Sequence, residues 1–93
     1  MARTSAASRR ARPSAAEAVA DMVRPCGPMV HAVVRRIVRN AADADDVVQE
    51  SFVSAFRHWD EFRGDANPCT WLHSIAVRAA LRKGKRESRR RSV

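Results

Sequence analysis

The sequence predicts an all-α protein, a compact bundle of about four helices flanked by basic tails that we expect to be disordered. Apolar residues recur in steps of three and four through the middle of the chain, and no segment alternates with the period of two that a strand requires. The apolar fraction of 45% comes mostly from Ala and Val, with no Tyr, which suits close-packed helices. A chain of 93 residues supports one core, and therefore one domain.

The first two predicted helices are separated by proline. Ser14 and Glu17 have the spacing of a capping box, which begins the first helix. We expect that helix to end before Arg24 and Pro25, because proline lacks an amide hydrogen and restricts the residue before it. Pro28 begins the second helix, and Asn40 is predicted to end it in the left-handed conformation. Its apolar positions are Met29, Val30, Val33, Val34, Ile37 and Val38.

Acidic residues mark the start of the third predicted helix. Asp43 is the expected N-cap, and Asp45 and Asp46 follow where the helix dipole favours negative charge, so we interpret the three as a helix terminus rather than a metal site. The predicted buried positions are Val48, Phe52, Ala55, Phe56 and Trp59.

An exposed loop at 60–66 is predicted next, because the segment contains Gly64 and several charged residues. Asn67 then caps the fourth helix, and Pro68 is its first residue. The apolar side of this helix is formed by Trp71, Leu72, Ile75, Ala76 and Ala79.

The formal net charge of +8 lies at the two ends of the chain. Residues 1–13 contain four arginines and no acid, and residues 82–93 contain seven Lys or Arg and one Glu. Residues 14–81 carry seven basic and nine acidic residues, so a uniformly cationic folded surface is disfavoured. Residues 1–13 fit a solvated tail better than a targeting peptide, and the C-terminal run is the better candidate for phosphate contact.

The two cysteines predict no disulfide framework, and we interpret both as small buried groups. A zinc site formed by Cys26, His31, Cys69 and His73 is the alternative, but five residues across Pro28 separate the first pair. No phosphate-binding glycine loop or activated nucleophile is recognisable, so neither an enzyme nor a cofactor is predicted. No apolar stretch is long enough for a signal peptide or membrane span, which predicts a cytoplasmic protein without membrane insertion.

Three motifs carry a resemblance to a known family. They are Asp45-Asp46-Val47-Val48-Gln49-Glu50-Ser51-Phe52-Val53-Ser54-Ala55-Phe56-Arg57, Phe62-Arg63-Gly64-Asp65, and Thr70-Trp71-Leu72-His73-Ser74-Ile75-Ala76. In this order and spacing the chain resembles region 2 of the extracytoplasmic-function (ECF) sigma factors, a subfamily of the sigma-70 family. The resemblance places the domain at 14–86 and the start of a basic interdomain linker at 87–93. The family's second domain, region 4, has no counterpart here, and we interpret the sequence as a fragment or an unusually short protein.

The resemblance implies two functional surfaces. The third predicted helix is expected to bind the clamp helices of the largest subunit of core RNA polymerase, through the side left unused by its buried positions. The residues carried over are Asp46, Gln49, Glu50, Val53 and Arg57. The turn from Phe62 to Cys69 and the exposed side of the last helix are expected to recognise and melt the −10 promoter element by holding an unpaired base of the non-template strand.

The expected DNA-binding residues are Arg63, Asp65, Ala66, Asn67, Arg78, Arg82, Lys83, Lys85 and Arg86. Of these, Asp65, Ala66 and Asn67 line the base pocket, and the cations meet phosphate. We interpret Trp71 as a core residue rather than a stacking platform, because it shares a side with Ile75. Two positions depart from the family: Arg78 replaces an Asn common among relatives, and Asn67-Pro68-Cys69 replaces a small residue followed by an aromatic one. The base preference is therefore not carried over.

The resemblance also implies sequestration by an anti-sigma factor. Two other functions stay open on the sequence alone. One is a general basic DNA-binding module, which the charged ends favour. The other is a protein-interaction domain whose nucleic-acid surface is masked.

Overall fold

The first helix, α1, spans Ala15–Ile37 and contains both prolines that were expected to interrupt it. The structure, a computed structural model, describes residues 13–64 and 67–92, and side chains as far as residue 86. The predicted capping box is confirmed: the Glu17 amide donates to Ser14 Oγ over 3.1 Å, and the Ser14 amide donates to Glu17 Oε1 over 3.0 Å. The predicted N-terminal tail lies outside the described residues except for Pro13.

The prediction of a break before Pro25 was wrong, and the burial pattern of α1 explains why. One buried residue recurs every four positions along α1 and its C-cap: Ala18, Met22, Cys26, Val30, Val34 and Val38. Pro25 and Pro28 are exposed, and the carbonyls that lose their amide partners belong to exposed Asp21 and Arg24. Because water can solvate those carbonyls, burial of the continuous apolar stripe outweighs the lost hydrogen bonds.

The second helix, α2, spans Ala41–Arg57 and begins earlier than expected. Its N-cap is Asn40, whose Oδ1 accepts from the Asp43 amide over 2.9 Å. With a φ of −70°, Asn40 is extended and not left-handed, and Asp43 lies inside the first turn. Both predictions at this junction were therefore wrong, because an Asn beside a helix start can cap the following helix as well as end the preceding one.

A single 3₁₀ turn, Trp59–Glu61, follows α2. Asp60, Glu61, Arg63 and Gly64 are exposed as predicted, but Asp60 and Glu61 belong to the 3₁₀ turn and Phe62 is only 6% exposed. Gly64 has a φ of +83°, a conformation that glycine adopts without the steric penalty of a side chain. The indole Nε1 of Trp59 donates to the Pro13 carbonyl over 3.0 Å, which ties the segment before α1 to this turn.

The third helix, α3, spans Pro68–Ser92, with Pro68 as its first residue as predicted. All three α-helices pack against one another, and the described residues contain no strand. The all-α class is confirmed, but the count is three α-helices and a 3₁₀ turn, because the first two predicted helices are one. Residues 87–92, predicted as the start of a disordered basic linker, continue α3 as helix, so that prediction was wrong. None of the helices in the described part of the chain is both long and apolar enough to cross a bilayer.

The core lies where the three helices meet. Val30, Val34 and Leu72 are fully buried, and Ser51, the one buried polar residue among those described, donates its hydroxyl to the Val47 carbonyl over 2.8 Å. The predicted stripe of α2 is confirmed at Val48, Ala55 and Trp59, and Phe52 is partly buried. Phe56 is 49% exposed, so its assignment to the core was wrong. Trp59, in the 3₁₀ turn after α2, is 8% exposed and its ring contacts Phe62 and Trp71.

Cys26 and Cys69 form a disulfide, with 5.3 Å between their Cα atoms. The interpretation of both as small buried thiols was wrong in its chemistry, although Cys26 is 1% exposed. Sequence spacing gave no indication of this pair, because the two cysteines have a sequence separation of 43. The zinc alternative is not supported: both sulfurs are bonded to each other, and no group of three metal-ligating side chains occurs among the described residues.

Candidate nucleic-acid interface

The side of α2 that faces away from the core is exposed along its whole length. All five residues expected to bind polymerase lie on it and are exposed: Asp46, Gln49, Glu50, Val53 and Arg57. The helical repeat places them in one stripe, because Asp46, Gln49 or Glu50, Val53 and Arg57 are spaced three or four residues apart. Phe56 lies in the same stripe. These six residues are called the outer face of α2 below.

The outer face of α2 exposes two large apolar side chains to solvent. Val53 is 46% exposed and Phe56 is 49% exposed, and they are three residues apart. Adjacent exposed apolar residues between charged neighbours are typical of a surface that contacts another macromolecule. The sequence did not indicate that Phe56 is exposed, because it fits the same helical stripe as the buried positions of α2. Only three-dimensional packing shows that Phe56 lies at the edge of that stripe.

The expected DNA-binding cations lie on α3 and just before it. Arg63, Arg78, Lys85 and Arg86 are exposed. Two others form ion pairs with α2: Arg82 Nη2 lies 3.2 Å from Glu50 Oε2, and Lys83 Nζ lies 3.6 Å from Asp43 Oδ1. The side chain of Lys83 is only 22% exposed, which makes it a poorer candidate for phosphate contact than its neighbours.

Three residues were expected to line the base pocket. Asn67 is exposed and its Oδ1 accepts from the Cys69 amide over 2.8 Å, so this oxygen caps α3 as predicted. The NH₂ of its side-chain amide remains available to donate hydrogen bonds to a ligand. Asp65 and Ala66 lie outside the described residues.

A groove of about 250 Å³ runs between the end of α2 and α3. Its lining residues are Ser54, His58, Glu61, Trp71, Ile75, Arg78 and Arg82. His58 Nδ1 and Glu61 Oε2 are 2.9 Å apart at one end of it. An indole edge, an apolar side chain and two guanidinium groups can receive a base together with its phosphate.

The wall of this groove is held by an aromatic cluster. Trp59 and Phe62 stack with centroids 5.0 Å apart, and Trp71 lies 5.8 Å from Trp59 and 5.2 Å from Phe62. Trp71 is partly buried and packs against the core, in agreement with the core interpretation. The same residue lines the groove, so packing fixes its position there.

The described residues thus form an all-α domain with one exposed helix face and, beside it, a groove lined by an indole and two guanidinium groups. Comparison with known proteins identifies it further. A family model described as sigma-70 region 2 matches residues 22–90, and the chain belongs to that family. The resemblance found in the three motifs is therefore confirmed. This is a family of transcription initiation factors, which confirms the prediction of a protein that is not an enzyme.

The relatives are ECF-like. The chain is 51% identical over 51 residues to the ECF RNA polymerase sigma-E factor of Salmonella typhimurium LT2, which covers 55% of this chain and 26% of that protein. It is 49% identical over 51 residues to the ECF RNA polymerase sigma-E factor of Escherichia coli K12, with the same shares covered. To the RNA polymerase sigma-H factor of Pseudomonas aeruginosa PAO1 it is 44% identical over 48 residues, 52% of this chain and 25% of that protein. The chain thus spans about a quarter of the length of these relatives. No solved structure matches it significantly.

Proposed function

We propose that this chain is the part of an ECF-type sigma factor that binds core RNA polymerase and recognises and melts the −10 promoter element. In this proposal the outer face of α2 docks on the clamp helices of the polymerase largest subunit. The groove and the basic side of α3 receive the non-template strand. The observation that carries the proposal is the exposure of the whole motif-bearing face of α2, including Val53 at 46% and Phe56 at 49%.

The polymerase contact is supported by the chemistry of the outer face of α2. Val53 lies in the middle of the face and Phe56 at its margin toward the core, and Asp46, Glu50 and Arg57 supply charge around them. An apolar centre within a charged rim is the usual anatomy of a protein interface. A helix face laid against partner helices would bury this stripe.

The DNA contact is supported by the groove and its cations. Arg78 and Arg82 line the same groove as Trp71, so one site offers both an aromatic surface and positive charge. Arg63 and the side-chain amide NH₂ of Asn67 lie just before α3. In this proposal they hold the captured base together with Asp65 and Ala66. Lys85 and Arg86 continue the basic side toward the C-terminus and can follow the phosphate backbone.

Strand opening by such a domain requires no nucleotide hydrolysis, because capture of unpaired bases shifts the equilibrium toward the open strand. Each stacked base returns about 1–3 kcal/mol, while one DNA base-pair step costs about 1.4 kcal/mol. A domain that holds few bases therefore opens a promoter only when polymerase contributes binding free energy. We expect weak, salt-sensitive binding of the isolated chain to single-stranded DNA.

The polymerase contact is tested by a pull-down of bacterial core RNA polymerase with the full chain and two valine variants. Val53→Asp places a charge at the centre of the outer face and should abolish capture. Val23→Asp is the matched control, because Val23 is 49% exposed and lies on α1. Asp46→Asn with Gln49→Ala should also weaken capture while thermal unfolding is unchanged. Equal capture by the Val53 and Val23 variants contradicts the proposal.

The DNA contact is tested by fluorescence anisotropy with a random-sequence DNA pool, single-stranded and annealed. The proposed groove predicts preference for the single strand, and Arg78→Ala should reduce that preference. A general basic DNA-binding module would bind duplex and single strand equally and keep its affinity in Arg78→Ala. Its charges would lie at the two ends of the chain, since residues 14–81 hold more acids than bases.

The same surfaces define the proposed regulation and location. An anti-sigma factor that covers the outer face of α2 or the groove would prevent initiation, and we propose such a protein as a partner. Because core polymerase and promoter DNA are cytoplasmic in bacteria, the proposed function also places the chain there.

A further inference from the structure

We propose that Cys26 and Cys69 form a reversible redox site, whose closure fixes the first turn of α3 and so raises the affinity of the groove for single-stranded DNA. The pair joins the middle of α1 to the second residue of α3. The inference rests on the proposed function in its DNA-binding part. The redox chemistry itself is independent of that function.

An open cavity borders the disulfide on one side of the link between α1 and α3. The cavity has a volume of about 390 Å³, and its mostly apolar lining includes Met22, Pro25 and Trp59. Gly27, the residue after Cys26, is buried, yet a Cβ atom built on it would meet nothing within 4 Å. At this level of the bundle the disulfide is the covalent link between α1 and α3, and this cavity lies beside it.

In the rest of the bundle, the packing of the helices does not depend on the disulfide. Val30, Val34, Val38 and Leu72 are fully buried one or more turns away. We therefore expect reduction to loosen the first turn of α3 and leave the fold intact. Local opening of this kind is common where buried apolar contacts are sparse.

The first turn of α3 belongs to the proposed DNA surface. The Asn67 oxygen accepts from the Cys69 amide, so displacement of Cys69 displaces the cap that orients Asn67. Trp71, two residues further along, lines the groove. A binding surface that is already ordered loses less conformational entropy when it captures a ligand, so the closed disulfide favours binding.

The chemistry at the pair permits exchange with small thiols. Cys69 is partly exposed and Cys26 is 1% exposed, so an incoming thiolate attacks the Cys69 sulfur. The S–S bond breaks, Cys26 leaves as a thiolate, and Cys69 is held in a mixed disulfide with the small thiol. A second thiolate attacks the sulfur of the small thiol and releases Cys69. Two electrons pass from the small thiols to the protein, and the products are one small-molecule disulfide and, after protonation, two protein thiols. A disulfide such as oxidised glutathione drives the reverse reaction.

A histidine shares a cavity with Cys69. His73 is one turn after Cys69 on α3, and both residues line a second cavity of about 330 Å³ with Met29 and Thr70. The start of a helix also favours negative charge, which suits a thiolate at Cys69. In a reducing compartment, disulfides are usually transient and regulatory. The proposed location of this chain therefore favours a switch over a permanent link.

The redox site is tested first without DNA. The full chain is equilibrated with mixtures of reduced and oxidised glutathione, alkylated and weighed by mass spectrometry. Over that range of glutathione mixtures we expect to observe both the oxidised and the reduced protein, and we expect the disulfide to form and break reversibly. Hydrogen exchange of the first turn of α3 should be faster in the reduced form, while the amides near Val34 should be unchanged. A disulfide that stays closed in reduced glutathione, or equal exchange at α3 in both forms, overturns the switch.

The effect on binding is tested by anisotropy with the random single-stranded DNA pool. We expect the oxidised chain to bind roughly fivefold more tightly or better, the lower end of typical coupling between two sites. Cys26→Ser with Cys69→Ser should bind like the reduced chain, with or without oxidant. Equal affinity of oxidised and reduced chains overturns the coupling. If neither form binds DNA or polymerase while the glutathione and exchange responses persist, the proposed function fails and the redox site stands.

Discussion

Arg82 of α3 donates a hydrogen bond to Glu50 of α2 over 3.2 Å, so a residue of the proposed DNA surface is bonded to a residue of the proposed polymerase surface. Both side chains are about half exposed, at 60% and 48%. A partner that engages Glu50 would release Arg82 toward the groove that it lines. The two proposed surfaces are therefore adjacent, and we expect binding at one to change the charge available at the other.

Replacement of Glu50 should free Arg82 for phosphate. We expect Glu50→Gln to strengthen single-stranded DNA binding by up to about fivefold, because an exposed ion pair is worth at most about 1 kcal/mol. A double-mutant cycle with Arg82→Gln, measured by anisotropy, isolates the pair. The gain should vanish when Arg82 is already replaced and should shrink at high salt. A gain that persists in Arg82→Gln contradicts the exchange of partners.

Phe56 should contribute to polymerase affinity although the sequence pattern placed it in the core. We expect Phe56→Ala to weaken core polymerase binding tenfold or more, about 1.4 kcal/mol, because large apolar side chains at an interface carry much of the affinity. Val23→Ala on α1 is the control, and polymerase binding is measured by surface plasmon resonance. A variant that loses stability instead of affinity would mean that Phe56 packs inside this chain.

Asn40 should matter to stability as the N-cap of α2. Asn40→Ala removes the acceptor of the Asp43 amide and should lower the free energy of unfolding by about 1 kcal/mol. Asn40→Asp keeps an acceptor oxygen and should be near neutral. Urea unfolding followed by circular dichroism gives the comparison, and an unchanged midpoint for Asn40→Ala would contradict the cap.

Two leucines on α3 distinguish core from surface. Leu72 is 0% exposed and Leu81 is 48% exposed. Leu72→Ala should destabilise the fold by about 3 kcal/mol through lost burial and the cavity left behind. Its Tm should fall by roughly 10–20 °C. Leu81→Ala should change the free energy of unfolding by no more than about 0.5 kcal/mol. Similar losses of stability in both variants would contradict the burial of Leu72 and the exposure of Leu81.

The disulfide should stabilise the chain by closing a long loop in the unfolded state. With a sequence separation of 43 between the cysteines, chain entropy gives about 4 kcal/mol at 25 °C. Thermal unfolding of oxidised and reduced protein, with Cys26→Ser and Cys69→Ser together as the reference for the open form, measures the difference. Identical Tm values for oxidised and reduced protein would mean that the bond adds nothing.

Much of the fold was determined locally and could be predicted. The capping box at Ser14, the Asn67 and Pro68 start of α3, and the all-α class depend on neighbouring residues and on helical periodicity. The five residues carried over to the outer face of α2 are exposed for the same reason, since a stripe opposite the buried one must face outward. Three motifs in order were also sufficient to indicate the family that the family model identifies.

Other features depended on contacts between distant segments, and only the tertiary structure decided them. Two prolines remain inside α1 because a buried residue at every fourth position outweighs their missing amides, a balance that requires α2 and α3 as partners. The Cys26–Cys69 bond joins residues that no local spacing relates. Trp59, in the 3₁₀ turn that follows α2, is buried against Phe62 and Trp71, whereas Phe56, at the edge of the predicted stripe, is 49% exposed. Periodicity shows which residues share a side of a helix, but where the edge of the core falls depends on the neighbouring elements that cover it.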